Sequence, residues 1–304
     1  MYDVTDSAFR QMVAQCGKPD VMFTEFVSAE GLLHERSQQK LVDLHLRYEE
    51  NERPIVAQIF SADPEAIYGA VKIIEGLGFD GVDINMGCPD KTIVKQGSGA
   101  ALIQDPKRAQ EIIRAAWEGT TRIPVSVKTR TGFLKEDIGY WIKALVDAGP
   151  AAITLHGRTK KEMSKVPASW DVIKKATLIA KGSETLIVGN GDVQNKKDAR
   201  EKAEKFGVDG VMVGRAIFKN PYFFSGKPTP SPQERIELLR QHITLFEAYY
   251  GEIKPFRVFY KHIGNYIIGF NGAKELRLRV MENKTAQEAL KTLKKISTFK
   301  DFLL

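Results

Sequence analysis

The sequence predicts a parallel α/β domain followed by a small helical domain. Three observations support this fold class: short apolar runs recur along the first three quarters of the chain, segments with helical periodicity lie between them, and the last quarter has helical patterning alone. Apolar strands that alternate with helices are typical of a parallel sheet covered by helices. The composition, with 43% hydrophobic and 27% charged residues in a chain of 304, is ordinary for a globular protein.

Seven apolar runs rich in β-branched residues are the predicted strands. They are VMFTEF (21–26), PIVAQIF (54–60), GVDIN (81–85), IPVSVK (123–128), AAITLH (151–156), TLIVGN (185–190) and GVMVG (210–214). The clearest helical segments between them are Pro64–Leu77, Pro106–Trp117 and Asp137–Ala148. The spacing of the runs is that of successive βα units, which indicates a barrel-type arrangement.

The start of the chain bears on the number of strands, since seven is one short of a (β/α)8 barrel. A helix is predicted to begin near Ser7 with Asp6 or Thr5 as its N-cap, and almost no residues precede Tyr2. We therefore expect an α/β fold of the TIM-type (β/α)8 barrel class, either completed by very few residues or with its first strand truncated.

A proline-rich stretch separates the two predicted domains. SGKPTPSPQER (225–235) contains three prolines, which is typical of a linker. A capping box from Ser231 to Glu234, with proline at the first helical position, predicts the start of a new helix. Helical patterning then continues, with breaks around 251–255 and 269–272. We predict a barrel domain in residues 1–225 and a small all-α helical bundle in residues 226–304.

Positive charge is concentrated in the second predicted domain. Residues 227–304 contain 14 Lys and Arg against 8 Asp and Glu, whereas the residues before them contain 31 against 30. A basic module beside a neutral one suggests an anionic partner, with nucleic acid as the leading candidate. A solvated helical surface with surplus lysine would explain the same composition.

Several classes of protein are disfavoured by the sequence. There is no run of eighteen apolar residues and no signal-peptide pattern, so we expect no membrane partner and a cytoplasmic location. Cys16 and Cys88 do not make a disulfide framework, and five scattered histidines predict no metal site. GSGAA (97–101) lacks the spacing of a dinucleotide-binding loop and does not follow a strand.

Polar residues occur at the ends of the otherwise apolar strands. In a barrel the working residues collect at the carboxyl ends of the strands, so one rim is predicted to carry the site. Each residue alone has a structural explanation, but six strands deliver such groups. The residues are Gln58, Asn85, Cys88, Lys128, Arg130, His156, Arg158, Asn190, Asp192, Gly214 and Arg215.

The last two loops indicate a phosphate site. GNGDV (189–193) and GRAIFKNP (214–221) supply glycines and backbone N–H groups beside an arginine. Barrel enzymes often hold phosphate between the loops after the last two strands. A cofactor or substrate that carries phosphate is therefore predicted.

The chain closely resembles the flavin-dependent tRNA dihydrouridine synthases. The matching segments are VTDSAFR, QIF, DINMGCPDKTIVKQGSGAALI, VKTRTGF, LHGRT, NGDV and VMVGRAIFKNP, over Thr5 to Phe224, with a weaker match over 261–277. The resemblance implies an FMN-containing barrel, a helical RNA-binding domain and reduction of a uracil double bond in tRNA, with NADPH as the usual reductant. The apolar segment that precedes VTD in the family is represented here only by Met1-Tyr2-Asp3.

The resemblance also implies roles for individual residues. Cys88 would be the general acid, and Asn85 and Arg130 would help to hold the target uracil. The cofactor would be held by two groups of residues: Gln58, Lys128 and His156 at the isoalloxazine ring, and Asn190, Gly191, Asp192, Gly214 and Arg215 at the ribityl phosphate end. Candidate RNA contacts in the basic bundle are Arg257, Lys261, Lys274, Arg277 and Arg279.

The chemistry of uracil reduction explains a cysteine on a loop. A hydride delivered to carbon-6 leaves negative charge, and carbon-5 then needs a proton. A thiol with its ordinary pKa of about 8.5 is mostly protonated near neutrality, whereas a carboxylic acid with a pKa of about 4 is mostly ionised. A glycine-rich loop would bring Cys88 to the base. Cys16, at the end of the first predicted helix, is expected to be structural.

Two other functions remain open from the sequence. The first is a barrel that binds FMN and acts on a free pyrimidine, as dihydroorotate dehydrogenases do. The second is a non-catalytic RNA-binding protein whose flavin site was lost with the first strand. The separate basic module disfavours the first alternative, because a small substrate does not need it. A monomer is expected.

Overall fold

The computed structural model describes residues 3–295, and they form two compact units. The sheet unit comprises Val21–Arg47 and Arg53–Ala216, and the helical unit comprises, within the described residues, 3–20, Tyr48–Glu52 and 217–295. The helical unit thus includes the amino-terminal helix, which the predicted division at residue 225 does not anticipate. The predicted domains also contain residues 1–2 and 296–304, which lie outside the described residues.

The sheet unit is built on seven parallel strands, and each of the seven predicted runs supplies one of them. The strands are β1 Met22–Ser28, β2 Ile55–Phe60, β3 Gly81–Met86, β4 Val125–Arg130, β5 Ala152–His156, β6 Leu186–Asn190 and β7 Gly210–Met212. Their order in the sheet is their order in the sequence. This arrangement confirms the predicted α/β fold class, and within residues 3–295 no eighth strand joins β1 or β7.

A helix or a group of helices follows each strand, as the βα pattern predicts. The helices are α1 Ser7–Gly17 before the sheet, then α2 Ala29–Leu33, α3 Glu35–Leu41, α4 Pro64–Gly76, α5 Lys91–Lys95, α6 Pro106–Glu118, α7 Ile138–Asp147, α8 Trp170–Ala180, α9 Lys196–Phe206 and α10 Ala216–Lys219. Local sequence sets where they begin. Asp63 and Asp105 each accept a backbone N–H of the first turn, and proline occupies the first helical position after both.

The core of the sheet unit lies between the central strands and the helices that cover them. Val82 and Val127 in β3 and β4 are fully buried, as is Trp141 of α7. The indole N–H of Trp141 donates to the Thr129 hydroxyl at 3.1 Å, and that hydroxyl donates to the Met86 carbonyl at 2.9 Å. The polar edge of this large side chain is therefore satisfied while its rings add apolar burial.

The carboxyl-terminal helices match the predicted pattern of helices and breaks. They are α11 Pro232–Tyr250, a 3-10 turn Phe256–Phe259, α12 Tyr260–Tyr266, α13 Ala273–Met281 and α14 Ala286–Lys294. The predicted capping box at Ser231 and Glu234 is present in both directions. The two predicted breaks fall between α11 and the 3-10 turn and between α12 and α13.

Aromatic packing explains why α1 belongs to the helical unit. Phe259 lies 5.3 Å from Phe246 and 4.6 Å from His242, measured between ring centroids. Phe9 of α1 stacks on His262 at 5.9 Å, and Met12 one turn later is fully buried. The apolar face of α1 is therefore part of the core of the carboxyl-terminal helices.

Two further features of the described residues concern membrane-spanning helices and metal sites. No helix within residues 3–295 is long and apolar enough to cross a membrane. In the same range, no cluster of three or more His, Cys, Asp or Glu side chains is arranged to hold a metal ion. Cys16 is buried in α1, and burial raises its pKa to about 11.

The helical unit contains one buried carboxylate with an unusually large set of donors. Glu52 is fully buried and accepts from Arg10 Nε at 2.5 Å, from Gln11 Nε2 at 3.0 Å and from the Ser7 hydroxyl at 3.2 Å. The Glu49 backbone N–H donates to it as well, at 3.0 Å. One side chain thus fixes α1 to the segment 48–52.

We expect Glu52→Ala to lower the free energy of unfolding of the helical unit by about 3–5 kcal/mol, because it removes the carboxylate that pairs with the buried Arg10 guanidinium. Glu252→Ala, an exposed change in the same unit, should shift it by less than about 0.5 kcal/mol. Urea unfolding followed by circular dichroism measures both variants. Equal midpoints for the two would contradict the role given to Glu52.

Candidate active site

Strand register brings the predicted site residues to one edge of the sheet. Asn85 of β3 pairs with Lys128 of β4, and further along Arg130 pairs with His156, which in turn pairs with Asn190. All of these lie in the second half of their strands, and the strands are parallel. The carboxyl edge of the sheet therefore carries the groups that the sequence placed on one rim.

A buried chain of hydrogen bonds crosses three of these positions. Gln58 Nε2 donates to Asp83 Oδ2 at 2.7 Å, and Gln58 Oε1 accepts from Asn85 Nδ2 at 3.0 Å. Asn85 Oδ1 in turn accepts the backbone N–H groups of Gly87 and Cys88, at 3.1 Å and 2.9 Å. The amide side chains thus connect a carboxylate inside the sheet to the loop that carries the cysteine.

Asp83 is the acidic end of this chain. It is fully buried in β3, and burial raises its pKa to about 6, although hydrogen bonds from Ser126 and Gln58 and the charge of Lys128 lower it. The Ser126 hydroxyl donates to its other oxygen at 2.7 Å. Asp83 is therefore mostly ionised at neutral pH, with donors on both oxygens.

Cys88 lies directly after β3, outside any helix or strand, as the sequence predicts. Its carbonyl accepts the Ala100 N–H at 3.0 Å, and Gly99 has a φ of +60° at which an added Cβ would lie 2.9 Å from that carbonyl oxygen. Burial raises the pKa of the partly buried thiol, against the lowering effect of the Asp90 backbone N–H and of the Arg130 and Lys128 charges. The thiol is therefore protonated at neutral pH on a loop whose backbone is held in place.

The two cations beside Cys88 differ in their partners. Arg130 Nε donates to the Gly87 carbonyl at 2.7 Å, and its Nη1 donates to the Thr159 and Met163 carbonyls. The Lys128 ammonium has no hydrogen-bond acceptor among residues 3–295. Burial, and then the charge of Arg130, lowers its pKa to about 8, so it still carries its proton near neutrality. Arg130 braces the loop, whereas Lys128 is open to a ligand.

His156 is held in one tautomer by Arg158, a residue that the sequence placed at the rim without a specific role. Arg158 Nη1 lies 3.0 Å from His156 Nε2. Because a guanidinium only donates, Nε2 is the acceptor and the proton of the neutral ring lies on Nδ1. Burial and the charges of Lys128, Arg130 and Arg158 lower the pKa of His156 to about 2. His156 is therefore a neutral donor through Nδ1.

At the end of the site that is predicted to hold phosphate, some polar groups already have hydrogen-bond partners in the protein and others do not. Asn190 Nδ2 donates to the Met212 carbonyl at 2.8 Å. Asp192 accepts from Arg158 and from the Ala168 N–H, so its charge is compensated within the protein. In the part of the chain that the structure describes, the backbone N–H groups of Gly214 and Arg215 have no protein acceptor.

The space around the backbone differs between Gly191 and Gly214, the two glycines at the predicted phosphate end. An added Cβ at Gly191 would lie 2.6 Å from Ala168 Cβ, whereas one at Gly214 would meet nothing within 4 Å. The Arg215 side chain is 65% exposed and only 3.4 Å from Asp192 at its nearest approach. Two free N–H groups, open space and a guanidinium are the donors that phosphate takes.

The five candidate RNA contacts of the helical unit fall into two groups. Lys261 pairs with Asp3 at 2.6 Å, and Arg277 donates to the Ile267 carbonyl at 2.8 Å. Arg257, Lys274 and Arg279 are exposed. Arg257, Lys274 and Arg279 therefore offer positive charge at the surface, whereas Lys261 and Arg277 also interact with other residues of the protein.

Sequence reasoning missed two contributors to the site and gave no role to a third, Arg158. The two are Asp83, described above, and Thr24, whose hydroxyl accepts the Gln58 N–H at 3.0 Å. A signal existed for Asp83, because a carboxylate in the apolar run GVDIN needs a partner once it is buried. No sequence signal links Arg158 to a neighbouring histidine tautomer.

A family sequence profile and two bacterial proteins match this chain along most of its length. The sequence profile described as dihydrouridine synthase (Dus) matches residues 1–302. A probable tRNA-dihydrouridine synthase of Staphylococcus aureus (strain COL) is 40% identical over 294 residues, which cover 95% of this chain and 89% of the relative. A probable tRNA-dihydrouridine synthase 2 of Bacillus subtilis (strain 168) is 39% identical over 293 residues, with the same two coverages.

The similarity to solved structures concerns the fold. A morphinone reductase superposes with a TM-score of 0.51 at 12% sequence identity, over 73% of this chain and 82% of that chain. The profile match over residues 1–302 and the two bacterial relatives identify the family as well as the fold. The chain belongs to the dihydrouridine synthase family.

Proposed function

We propose that this protein is a cytoplasmic tRNA dihydrouridine synthase that reduces the C5–C6 double bond of a uridine base in tRNA. The observation that carries the proposal is Cys88, a thiol with a raised pKa on a braced loop at the edge that also carries Lys128 and His156. The family and the names of the two bacterial relatives support the same reaction. We further propose NADPH as the reductant and a monomer as the working form.

The residues at this edge fit FMN. The Lys128 ammonium lacks a protein acceptor among the described residues, and His156 offers its Nδ1 proton, so both suit the polar edge of a flavin ring. Gly214 and Arg215 offer donors for its phosphate. Bound FMN would supply the hydride that adds to C6 of uracil. The full proposed set is Gln58, Lys128, His156, Asn190, Gly191, Asp192, Gly214 and Arg215.

The protein's own contribution to the reaction is the proton. Once C6 has gained its hydrogen, the negative charge at C5 is shared with the neighbouring carbonyl. Cys88 gives its thiol proton to C5, so the S–H bond breaks, the new C–H bond forms and a thiolate remains, which solvent reprotonates. The positive charges of Lys128 and Arg130 stabilise both the thiolate and the carbonyl oxygen.

Asn85 and Arg130 retain capacity to hold the base. Asn85 uses one amide hydrogen on Gln58, and Arg130 uses Nε and Nη1 on backbone carbonyls. The second Asn85 amide hydrogen and Arg130 Nη2 have no acceptor within residues 3–295. These donors suit the carbonyl oxygens of uracil.

The helical unit would supply the energy that presents the base. Removing a base from its stack costs a few kcal/mol. Contacts between lysine or arginine side chains and phosphates are favourable and depend on salt. We propose that Arg257, Lys261, Lys274, Arg277 and Arg279 make such contacts with tRNA.

We expect Cys88→Ala to lower the rate of dihydrouridine formation in tRNA by at least about 100-fold, because it removes the general acid. Flavin content and NADPH oxidation should stay near those of the unchanged protein, since the alanine does not alter the proposed cofactor contacts. Mass spectrometry of tRNA nucleosides measures the product. Cys16→Ala, at the second cysteine, is the matched control and should keep the activity.

The same assay separates this function from its alternatives. Free uridine and orotate, supplied in place of tRNA, should remain unreduced. Turnover of orotate without turnover of tRNA would contradict the tRNA assignment, and full product from the Cys88 variant would contradict the acid assignment.

We expect the affinity for tRNA to fall steeply with salt, and a triple variant of Arg257, Lys274 and Arg279 to alanine to weaken binding and flatten the slope of log K against log salt by about 2–3. Fluorescence anisotropy with labelled tRNA over a salt series measures the slope. Lys174→Ala, an exposed change in α8, should leave it unchanged. An unaltered slope in the triple variant would contradict these residues as phosphate contacts.

A further inference from the structure

We propose that Asp83 is a positioning residue, which fixes the direction of the Gln58 and Asn85 amides and thereby holds the Cys88 loop in its reactive place. The inference deepens the proposed function, since the group that it positions is the proposed acid. Asp83 itself is fully buried, and its side chain accepts hydrogen bonds from Gln58 and Ser126 rather than from the Cys88 loop. Its effect on the loop therefore has to pass through other side chains.

The first step is the contact between Asp83 and Gln58. An ionised carboxylate accepts hydrogen bonds and donates none. At 2.7 Å from Asp83 Oδ2, Gln58 must present its amide nitrogen, and its carbonyl oxygen then points the other way. The direction of Gln58 is thus set by the charge behind it.

The second step carries this direction to the loop. Gln58 Oε1 requires a donor, and Asn85 Nδ2 supplies it at 3.0 Å. Asn85 then turns its oxygen toward the backbone N–H groups of Gly87 and Cys88. Both ends of this chain of hydrogen bonds favour the same orientation of the two amides. One end is the acceptor Asp83, and the other end is the pair of donors, the Gly87 and Cys88 N–H groups.

Replacing Asp83 with a residue that cannot accept a hydrogen bond would remove the acceptor of the Gln58 amide nitrogen. Without it, Gln58 keeps only the hydrogen bond from Asn85 in its present orientation, and a reversed Gln58 would place its nitrogen against the nitrogen of Asn85. Asn85 would then reverse or withdraw, and the Gly87 and Cys88 N–H groups would lose their shared acceptor. A buried donor without a partner is costly, so the loop would shift.

A neighbouring residue provides the matched control. Ser126 donates to the other oxygen of Asp83 at 2.7 Å but makes no contact in the chain toward Cys88. Ser126→Ala therefore disturbs the same carboxylate without removing the acceptor of Gln58. Asp83→Asn is the conservative variant: its oxygen can still accept from Gln58 while its nitrogen donates to the Ser126 hydroxyl.

The experiment compares Asp83→Leu with Asp83→Asn and Ser126→Ala in the flavin-loaded full chain. We expect Asp83→Leu to raise amide hydrogen exchange of the Gly87–Cys88 segment at least tenfold and to lower dihydrouridine formation at least tenfold. Asp83→Asn and Ser126→Ala should stay within about threefold of the unchanged protein in both readouts. Asp83→Ala replaces the leucine variant if circular dichroism shows that the latter is unfolded.

A coupled variant gives a second criterion. In an Asn85→Ala background, Asp83→Leu should cause no further loss of product, because the path from Asp83 to the loop is already cut. Additive losses, or equal exchange in Asp83→Leu and Ser126→Ala, would overturn the proposal. If the unchanged protein makes no dihydrouridine, the proposed function fails, and the exchange measurement still decides whether Asp83 positions the loop.

Discussion

Two hydrogen bonds, from the Gly87 and Cys88 backbone N–H groups to the Asn85 amide oxygen, determine where the chain goes when it leaves β3. Arg130 adds a third contact, on the Gly87 carbonyl, and Ala100 a fourth, on the Cys88 carbonyl. The thiol is therefore presented from a loop that is tied down on both sides. Its chemistry depends on that restraint, because a general acid acts only when it lies within hydrogen-bond reach of the atom that it protonates.

The electrostatics of the sheet edge are consistent with a site for electron-rich ligands. Lys128, Arg130, Arg158 and Arg215 face two carboxylates, Asp83 and Asp192, each of which already accepts hydrogen bonds from the protein. Burial, and then the positive charges of Lys128, Arg130 and Arg158, keep His156 neutral. The charges of Arg130 and Lys128 also oppose the effect of burial on the pKa of Cys88. A partly buried cation without an acceptor destabilises a fold, so Lys128, which has no acceptor among residues 3–295, indicates a functional rather than a structural role.

The sequence predicts the sheet and its edge well, because apolar strands and helix caps are local signals. All seven strands and the capping box at Ser231 could be placed this way. The position of α1 could not, since the packing of Phe9 on His262 joins residues far apart in the chain. The chain from Asp83 through Gln58 to Asn85 was also out of reach, because it joins two strands whose register only the fold sets. The residue types of the site were thus predictable, and their mutual contacts were not.

The central claim is that Cys88 is a protonated thiol at neutral pH, and its reactivity against pH tests this most directly. Iodoacetamide alkylation of the flavin-loaded protein, resolved for each cysteine by peptide mass spectrometry, measures the thiolate fraction. Because burial raises the pKa of Cys88, its rate should be low at pH 7 and reach half its maximum above the ordinary thiol pKa of about 8.5, while buried Cys16 stays unmodified as an internal reference. A Cys88 that reacts at its full rate at pH 6–7 would be a thiolate there, which would contradict its assignment as the acid.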